Sequence, residues 1–338
     1  MRKAIVNRDI APIYTAPSRL SELADEALFG MVVEITCVCG EAAPTDRSQG
    51  GLTAAAHSLG EAAPNDRPHC GVAVAAHTLG EAAPTDRSHG GLTAAAHFGG
   101  GDGRLENWYK IKTHYRYVGF METRHLICDD ELTERWEQSP KQVVLAPYAD
   151  ILIAPGVKSP RAAGSPRGGV VAPVGAADKG WQRILTPDGS DGYIRVSALG
   201  PYADSVTSHI DESALRARIA ESAKLYIGSQ YRWGGKTPLG IDCSGLTAMA
   251  YLLNGIIIYR DANIVPGFAI HEIAVSDVKP CDLLFFPGHV AMYLGGDKYI
   301  HSTAKAGSDG VVINSLNPGD PDFRRDLLES LTCAGSVF

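Results

Sequence analysis

The chain has 338 residues, which at about 150 residues per domain predicts two or three domains. Its formal charge is −7, from 31 Lys and Arg against 38 Asp and Glu, whereas a nucleic-acid-binding domain would be basic. No apolar run approaches the length of about 18 residues that indicates a transmembrane helix. No apolar stretch follows the charged N-terminal residues, so we expect no secretory signal and a cytoplasmic protein.

The cysteine pattern does not indicate a disulfide scaffold. The chain has seven cysteines, an odd number at irregular spacing, which is typical of a reducing compartment. Cys37 and Cys39 are separated by one residue and have no second pair nearby, so they do not favour a zinc site. We predict neither a metal nor another cofactor.

Residues 40–99 are three tandem copies of a 20-residue unit, each of which opens with the letters GEAAP. A period of this length can indicate a solenoid. However, only seven large apolar residues occur in this segment, too few to bury a core. We therefore predict a mostly disordered insert. His57, His77 and His97 recur with the period but have no local partner, and they do not predict a metal site.

The first predicted domain is a small β-barrel over residues 1–127 that the insert interrupts. Short β-rich runs broken by turn residues occur at 4–6, 13–15 and 31–37 before the insert and at 108–111 and 117–121 after it. An insertion in one hairpin loop is tolerable because the closure entropy grows only with the logarithm of loop length.

The second predicted domain, over residues 142–200, repeats this pattern. Trp181 aligns with Trp108, and in both segments a strand with Gly beside an aromatic residue follows the Trp strand. Both segments resemble bacterial SH3-like domains, which implies two small SH3-like β-barrels.

The pattern changes after Pro201. Apolar residues at helical spacing predict a helix over 211–227, and a second helical pattern covers 243–253. β-rich runs follow at 282–286, 289–294, 298–301 and 311–313. Helices first and an antiparallel sheet afterwards predict an α+β domain over residues 211–338.

The residues of this third domain predict nucleophilic catalysis. Cys243 lies where a glycine-rich loop, residues 231–235 and beyond, meets the second predicted helix. The unpaired N–H groups and the positive dipole end of a helix start stabilise a thiolate. A cysteine nucleophile needs a base and a group that orients the base, and His289 and His301 supply both.

The two histidines share a face only if the hairpin that joins their strands has the right parity. A two-residue turn at Gly296 and Asp297 would send them to opposite faces of the sheet. A three-residue loop that pairs residue 294 with residue 298 would place them on one face. We therefore predict an odd-length loop or a bulge, which the glycines at 295 and 296 permit.

Residues 231–245 and the two histidine strands together resemble the NlpC/P60 superfamily of papain-like cysteine peptidases over residues 211–338. The resemblance implies a circularly permuted papain-like α+β core. It also implies that Cys243 is the nucleophile, His289 the general base and His301 the residue that orients the base. The hydroxyl of Tyr231 would help to form the oxyanion hole.

Two SH3-like domains ahead of such a domain are similar to a subgroup of γ-D-glutamyl-L-diamino acid endopeptidases. These act on free murein peptides with an N-terminal L-Ala, and Asp261 matches the position that binds its amine. The alternative interpretation is that Asp261 caps a turn beside Asn263. The other residues predicted to contact substrate are Tyr117, Trp233, Asp242 and Ser244.

Two features depart from the family pattern: the repeat insert, and Cys281 where the family normally has glycine. The second departure suggests a changed turn. The sequence predicts peptidoglycan-derived peptides as substrates and no nucleic-acid partner. Two alternatives stay open, namely acyl transfer by the same Cys–His chemistry and an inactive protein that binds the cell wall.

Overall fold

The computed structural model describes residues 2–39, 108–203 and 210–338. Its N-terminal β unit is a seven-stranded antiparallel sheet. The strands are β1 (Arg2–Val6), β2 (Ile10–Tyr14), β3 (Leu23–Leu28), β4 (Val32–Cys39), β5 (Trp108–Thr113), β6 (Val118–Glu122) and β7 (Leu126–Ile127). Their spatial order is β3-β2-β6-β5-β4-β1-β7.

The long segment between β4 and β5 connects two neighbouring strands. These strands pair antiparallel, and Cys39 lies opposite Trp108. The chain therefore leaves β4 and enters β5 at two paired positions at the end of these strands. The repeat insert predicted to be disordered, at residues 40–99, lies outside the described residues.

A second β unit has the same strand order as the first. Its strands are β8 (Gln142–Val144), β9 (Tyr148–Leu152), β10 (Arg161–Pro166), β11 (Val170–Pro173), β12 (Trp181–Leu185), β13 (Asp191–Arg195) and β14 (Leu199–Pro201). They follow the order β10-β9-β13-β12-β11-β8-β14, which matches the first unit strand for strand. Trp108 and Trp181 begin equivalent strands, and a short 3-10 helix precedes the last strand of each unit.

Helix α1 (Asp130–Gln138) joins the two β units. It begins after Asp129, whose side chain accepts a hydrogen bond from the Leu132 N–H at 2.9 Å. Trp136 on this helix is buried, and its indole N–H donates to the carbonyl of Gly30 in the first unit at 3.0 Å. The same side chain packs in a cluster with Ile5 of the first unit and Leu185 of the second.

The C-terminal domain is α+β, as predicted. Its elements are α2 (Glu212–Lys224), β15 (Lys236–Thr237), β16 (Gly240–Ile241), α3 (Cys243–Leu252), β17 (His271–Ile273), β18 (Leu283–Phe286), β19 (His289–Gly295), β20 (Lys298–Thr303), β21 (Gly310–Ser315), α4 (Arg325–Ser330) and β22 (Cys333–Ser336). The antiparallel sheet has the order β17-β22-β18-β19-β20-β21. No helix among the described residues is long and apolar enough to cross a membrane.

The two long helices of this domain begin at capping aspartates. Asp211 accepts hydrogen bonds from two N–H groups of the first turn of α2, and Asp242 accepts one from the first turn of α3. Helix α3 is buried on nearly every side because it lies in one continuous core with the first β unit. Ile13 and Met121 of that unit belong to the same buried cluster as Leu246 of α3.

Cys281 occupies a backbone conformation that favours glycine. Its φ is 73°, and its side chain is fully buried. Its backbone is also fixed, because its N–H donates to the Tyr293 carbonyl at 2.8 Å and its carbonyl accepts from the Tyr251 hydroxyl at 2.6 Å. The turn that was expected to change thus keeps the left-handed geometry that a glycine adopts readily.

Cys281→Gly is expected to leave the free energy of unfolding within about 1 kcal/mol of the original, because relief of left-handed strain offsets the lost burial. Cys333→Gly is the control, since this residue is also buried but lies in an ordinary strand, β22. It should cost clearly more. Urea unfolding measures both, and a Cys281→Gly loss as large as that of Cys333→Gly would contradict the strain argument.

Candidate active site

Cys243 is the first residue of α3, directly after a glycine-rich loop. Asp242 caps the helix by accepting the Gly245 N–H at 2.5 Å, and its own N–H donates to the carbonyl of Gly235 at 3.2 Å. A Cβ on Gly245 would lie only 2.2 Å from that same carbonyl oxygen. The glycines therefore allow the loop to lie directly on the first helical turn, which fixes the position of the thiol.

The thiol of Cys243 is buried beside the start of β19. The side chain is 7% exposed, and burial raises its pKa to about 11, with the Asp242 carboxylate acting in the same direction. The N–H groups of Val290 and Ser244 hydrogen-bond to the sulfur and oppose this rise. Burial also raises the pKa of Tyr231 to about 12, and the charge of Cys243 is the next largest cause, so this phenol lies near the sulfur.

A β-bulge places the two histidine side chains on one face of the sheet. Tyr293 lies opposite Tyr299, whereas Gly295 lies opposite Lys298, so β19 has one extra residue before the turn. This confirms the predicted bulge and shows that the alternative pairing of 294 with 298 is wrong. The extra residue restores the parity that a two-residue turn alone would have broken.

The two histidines form a direct hydrogen bond, with Nε2 of His289 2.8 Å from Nδ1 of His301. His301 is fully buried and has Asn314 on its other side, whereas His289 is half-buried. Burial lowers the pKa of His289 to about 3 and that of His301 to about 4. Both imidazoles are therefore neutral at neutral pH, and so is the thiol of Cys243.

A buried ionic network connects the helix that carries Cys243 to the first β unit. The guanidinium of Arg260 pairs with Asp242 at 3.0 Å and with Asp25, on β3, at 2.8 Å. Lys236 also contacts Asp25, at 2.9 Å, and Tyr115 donates its hydroxyl to the same carboxylate at 2.5 Å. Burial opposes ionisation, but Lys236 and Arg260 together hold the pKa of Asp25 below its usual value.

Sequence reasoning missed this network because its members come from distant parts of the chain. Asp25 and Arg260 are 235 residues apart, and neither belongs to a local motif.

A sequence model of the NlpC/P60 family matches residues 228–320, which include the cysteine and both histidines. Dipeptidyl-peptidase 6 of Lysinibacillus sphaericus is 41% identical over 239 residues, which cover 69% of this chain and 86% of that protein. The chain belongs to the NlpC/P60 family. This confirms the resemblance seen in the sequence.

Two further comparisons extend across the NlpC/P60 domain and the β-rich region. The gamma-D-glutamyl-L-lysine dipeptidyl-peptidase of Bacillus cereus is 27% identical over 217 residues, 58% of this chain and 62% of that protein. The crystal structure of an NlpC/P60 family protein from Bacillus cereus covers 98% of both chains with a TM-score of 0.63 and 19% identity. This likeness shows the same fold: a papain-like domain with a β-rich N-terminal part.

Three of the residues predicted to contact substrate make structural contacts in this NlpC/P60 protein. Arg260 engages both Asp242 and the hydroxyl of Ser244, the latter at 2.8 Å. Trp233 is 59% exposed, and its indole N–H donates to Glu22 of the first β unit at 2.8 Å. Their contacts with substrate stay predictions.

Asp261 and Tyr117, by contrast, come together from different domains. Burial raises the pKa of both groups, and the charge of Asp261 is the second cause for Tyr117, so the two side chains are close. The Asn263 N–H binds the backbone carbonyl of Asp261, at 2.7 Å, and not its side chain. The side chain of Asp261 therefore does not accept the Asn263 N–H, as the alternative interpretation would require, and its carboxylate lies near Tyr117 instead.

Metal ligands are not grouped in the NlpC/P60 site. Among residues 2–39, 108–203 and 210–338, no cluster of three or more His, Cys, Asp or Glu side chains has an arrangement that could hold a metal ion.

His289→Ala is expected to lower kcat/KM by about 10²–10⁴-fold, because His289 is predicted to be the general base. His301→Gln should cost less, since a glutamine side chain can still accept the hydrogen bond from Nε2 of His289. Both values come from initial rates of peptide hydrolysis by variants whose folding has been checked. The reverse ranking would assign the base to His301.

Proposed function

We propose that the protein is a cysteine endopeptidase that hydrolyses the γ-D-glutamyl–L-diamino acid bond of free peptidoglycan stem peptides with an N-terminal L-Ala. Family membership supports cysteine peptidase chemistry at the Cys–His–His site. The name of the Bacillus cereus relative, gamma-D-glutamyl-L-lysine dipeptidyl-peptidase, supports the choice of bond.

The observation that carries the specificity is the carboxylate of Asp261, whose side-chain hydrogen-bond partner is the Tyr259 phenol and not a cation. Burial raises its pKa against the influence of Arg260, while Asp25 and Asp242 act with burial. In the described part of the chain it takes part in no ion pair within 4.0 Å, because Arg260 points to the other two carboxylates. A partly desolvated carboxylate without a cation fits a substrate ammonium group.

The first β unit contributes two residues to the region around Asp261, which supports a closed end of the substrate groove here. It supplies Tyr117, which lies beside Asp261, and Arg116, whose guanidinium stacks 3.7 Å from the ring centroid of Phe268 in the C-terminal domain. A groove closed by Tyr117 and Arg116 beside Asp261 suits a short peptide with a free amine. It excludes an acylated or glycan-linked chain, which would leave the Asp261 carboxylate without a cation.

The proposed reaction begins with proton transfer from the Cys243 thiol to His289. The thiolate attacks the γ-carbonyl carbon of D-Glu, and the C–S bond forms as the carbonyl π electrons move to oxygen. The N–H of Cys243, in the first turn of α3, and the hydroxyl of Tyr231 stabilise this oxyanion.

Collapse of the tetrahedral intermediate breaks the C–N bond, and His289 protonates the departing amine of the diamino acid. His289 then removes a proton from water, which attacks the thioester carbonyl. Collapse breaks the C–S bond and releases L-Ala-D-Glu, and the protonated His289 returns its proton to the sulfur. His301 stays neutral and, with Nδ1 2.8 Å from Nε2 of His289, keeps that ring in place throughout.

We also propose that the chain consists of two SH3-like barrels followed by a circularly permuted papain-like domain. The identical strand order of the two β units and the equivalent positions of Trp108 and Trp181 support the barrels.

Mass spectrometry of the products from L-Ala-γ-D-Glu-L-Lys and from its N-acetylated form tests the function. The free tripeptide should yield L-Ala-D-Glu and L-Lys, with kcat/KM at least about a hundredfold above that of the acetylated peptide. Because water is the only acceptor in this assay, turnover also separates hydrolysis from acyl transfer.

Asp261→Asn should raise KM for the free tripeptide. It should also reduce the ratio of kcat/KM between the free and the N-acetylated tripeptide. Asp191→Asn is the matched control, since this exposed carboxylate pairs with Arg183 in the second β unit. Equal cleavage of free and acetylated peptides would overturn the role of Asp261, and absence of cleavage of either would overturn the substrate.

A further inference from the structure

Asn314 lies on the strand next to His301 and on the same face of the sheet. Strand β21 pairs with β20 so that Val312 is opposite His301 and Asn314 is opposite Tyr299. Asn314 is therefore one diagonal step from His301 and shares its face. Its side chain is 7% exposed, and Oδ1 lies 2.9 Å from Nε2 of the fully buried His301.

The neighbours of Asn314 fix the orientation of its amide. Nδ2 lies 2.9 Å from the backbone carbonyl oxygen of Asp322, which can only accept a hydrogen bond. Nδ2 must therefore be the atom on that side, and Oδ1 must face His301. The hydroxyl of Ser308, 3.3 Å from Oδ1, donates to the same oxygen.

This orientation determines which ring nitrogens carry protons. Because Oδ1 accepts, Nε2 of His301 must donate, and the neutral ring then has a bare Nδ1. That bare Nδ1, 2.8 Å from Nε2 of His289, requires Nε2 of His289 to be the donor. We propose that Asn314 is a positioning residue that sets the tautomers of both histidines and so leaves Nδ1 of His289 bare to act as the base.

The carbonyl that orients Asn314 is held outside the active site. The Asp322 carbonyl also accepts the N–H of Ser315 at 3.2 Å. The carboxylate of Asp322 is paired with Lys298 at 2.8 Å, and Lys298 also contacts Asp320 at 2.8 Å. The choice of which ring nitrogens carry protons therefore depends on the backbone carbonyl of Asp322, which does not titrate.

Other charged groups near the histidines act on protonation and not on the choice of tautomer. After burial and His301, Arg324 lowers the pKa of His289 and Asp326 raises it, and both act on His301 in the same directions. Arg324 and Asp326 are paired with each other at 2.7 Å, so their effects partly cancel. Neither makes a hydrogen bond to a ring nitrogen that the structure describes.

The inference rests on the proposed cysteine peptidase chemistry, but its test needs no substrate. The protein is labelled with ¹⁵N in its histidine rings, and NMR distinguishes protonated from bare ring nitrogens. In the original protein both rings should carry the proton on Nε2, with signals assigned from His289→Gln and His301→Gln. In Asn314→Leu the Nε2–H donor of His301 loses its acceptor, and the population should shift toward Nδ1–H in both rings.

The functional readout is the rate at which iodoacetamide alkylates Cys243, followed by mass spectrometry of its peptide. Asn314→Leu should slow alkylation at least about tenfold, because the base nitrogen is blocked in the wrong tautomer. With the tripeptide, kcat should fall by a similar factor while KM changes little. Asn254→Leu is the control, since the amide of this buried asparagine, just beyond the C-terminal end of α3, donates to the Ser222 hydroxyl and to the Ala250 carbonyl.

Asn314→Asp provides the second variant. A carboxylate at this position still accepts from Nε2 of His301, so the tautomers should be retained while the protonation midpoint of the histidine pair moves to higher pH. If both histidines of Asn314→Leu keep the tautomers of the original protein, the inference is overturned. It is also overturned if alkylation of Cys243 slows in this variant while the tautomers stay the same. If Asn314→Leu does not fold, an unchanged midpoint in Asn314→Asp overturns it.

Discussion

Cys243→Ala should lower hydrolysis of the free tripeptide by at least about 10³-fold while the protein stays folded. The change removes only Sγ from a site whose neighbours, Asp242 and Val290, keep their backbone contacts with the sheet and the loop. Loss of activity with an unchanged circular dichroism spectrum and urea midpoint would identify the thiol as the nucleophile.

Cys281→Ala is the matched control for this experiment. This thiol is also buried, and burial likewise raises its pKa to about 11, but its neighbours are Arg216 and the Asp282 carboxylate, with no histidine among them. The variant should keep nearly full activity. Residual activity of more than a few per cent in Cys243→Ala, lost on adding Cys281→Ala, would move the chemistry to the second cysteine.

Asp25→Ala should destabilise the protein by about 3–5 kcal/mol, because it leaves two buried cations without their shared anion. Arg260 and Lys236 are each only 2% exposed in their side chains, so water cannot replace the carboxylate. Activity should fall as well, since Arg260 also holds Asp242 at the start of the helix that carries Cys243.

Urea unfolding of Asp25→Ala beside Asp191→Ala makes this test specific. Asp191 forms an ion pair with Arg183 in which both side chains are about half exposed, and pairs of this kind contribute about 0–1 kcal/mol. If the two variants lost similar stability, the buried network would not be what joins the first β unit to the catalytic helix.

Short-range patterns in the sequence predicted the local structure around Cys243, His289 and His301 well. The glycine-rich loop before Cys243 indicated a helix start, and α3 begins at that residue. The parity argument for the hairpin predicted a bulge, because a period of two along each strand leaves few ways to bring His289 and His301 to one face. Both arguments depend on residues within a few turns or one hairpin of each other.

Contacts between distant segments were not predictable in the same way. The pairing of Asp25 with Arg260 depends on how two domains pack, and no local pattern in either segment encodes it. Asn314 was missed for a related reason: it acts on His301 from the next strand, 13 residues away, and an isolated asparagine in a strand has no motif. The short strands β15, β16, β17 and β22 and the helix α4 are too brief to give a periodic signal.

The pairing of Cys39 with Trp108 has a practical use in protein engineering. Opposed residues in an antiparallel pair are about 5 Å apart, so the two chain ends at this point match the spacing of the termini of many small folded domains. A fluorescent reporter could replace residues 40–107 there, and the entropic penalty rises by only about 0.6 kcal/mol for each doubling of the connecting length. This hairpin is therefore a suitable site for inserting a reporter domain without a fusion at either terminus.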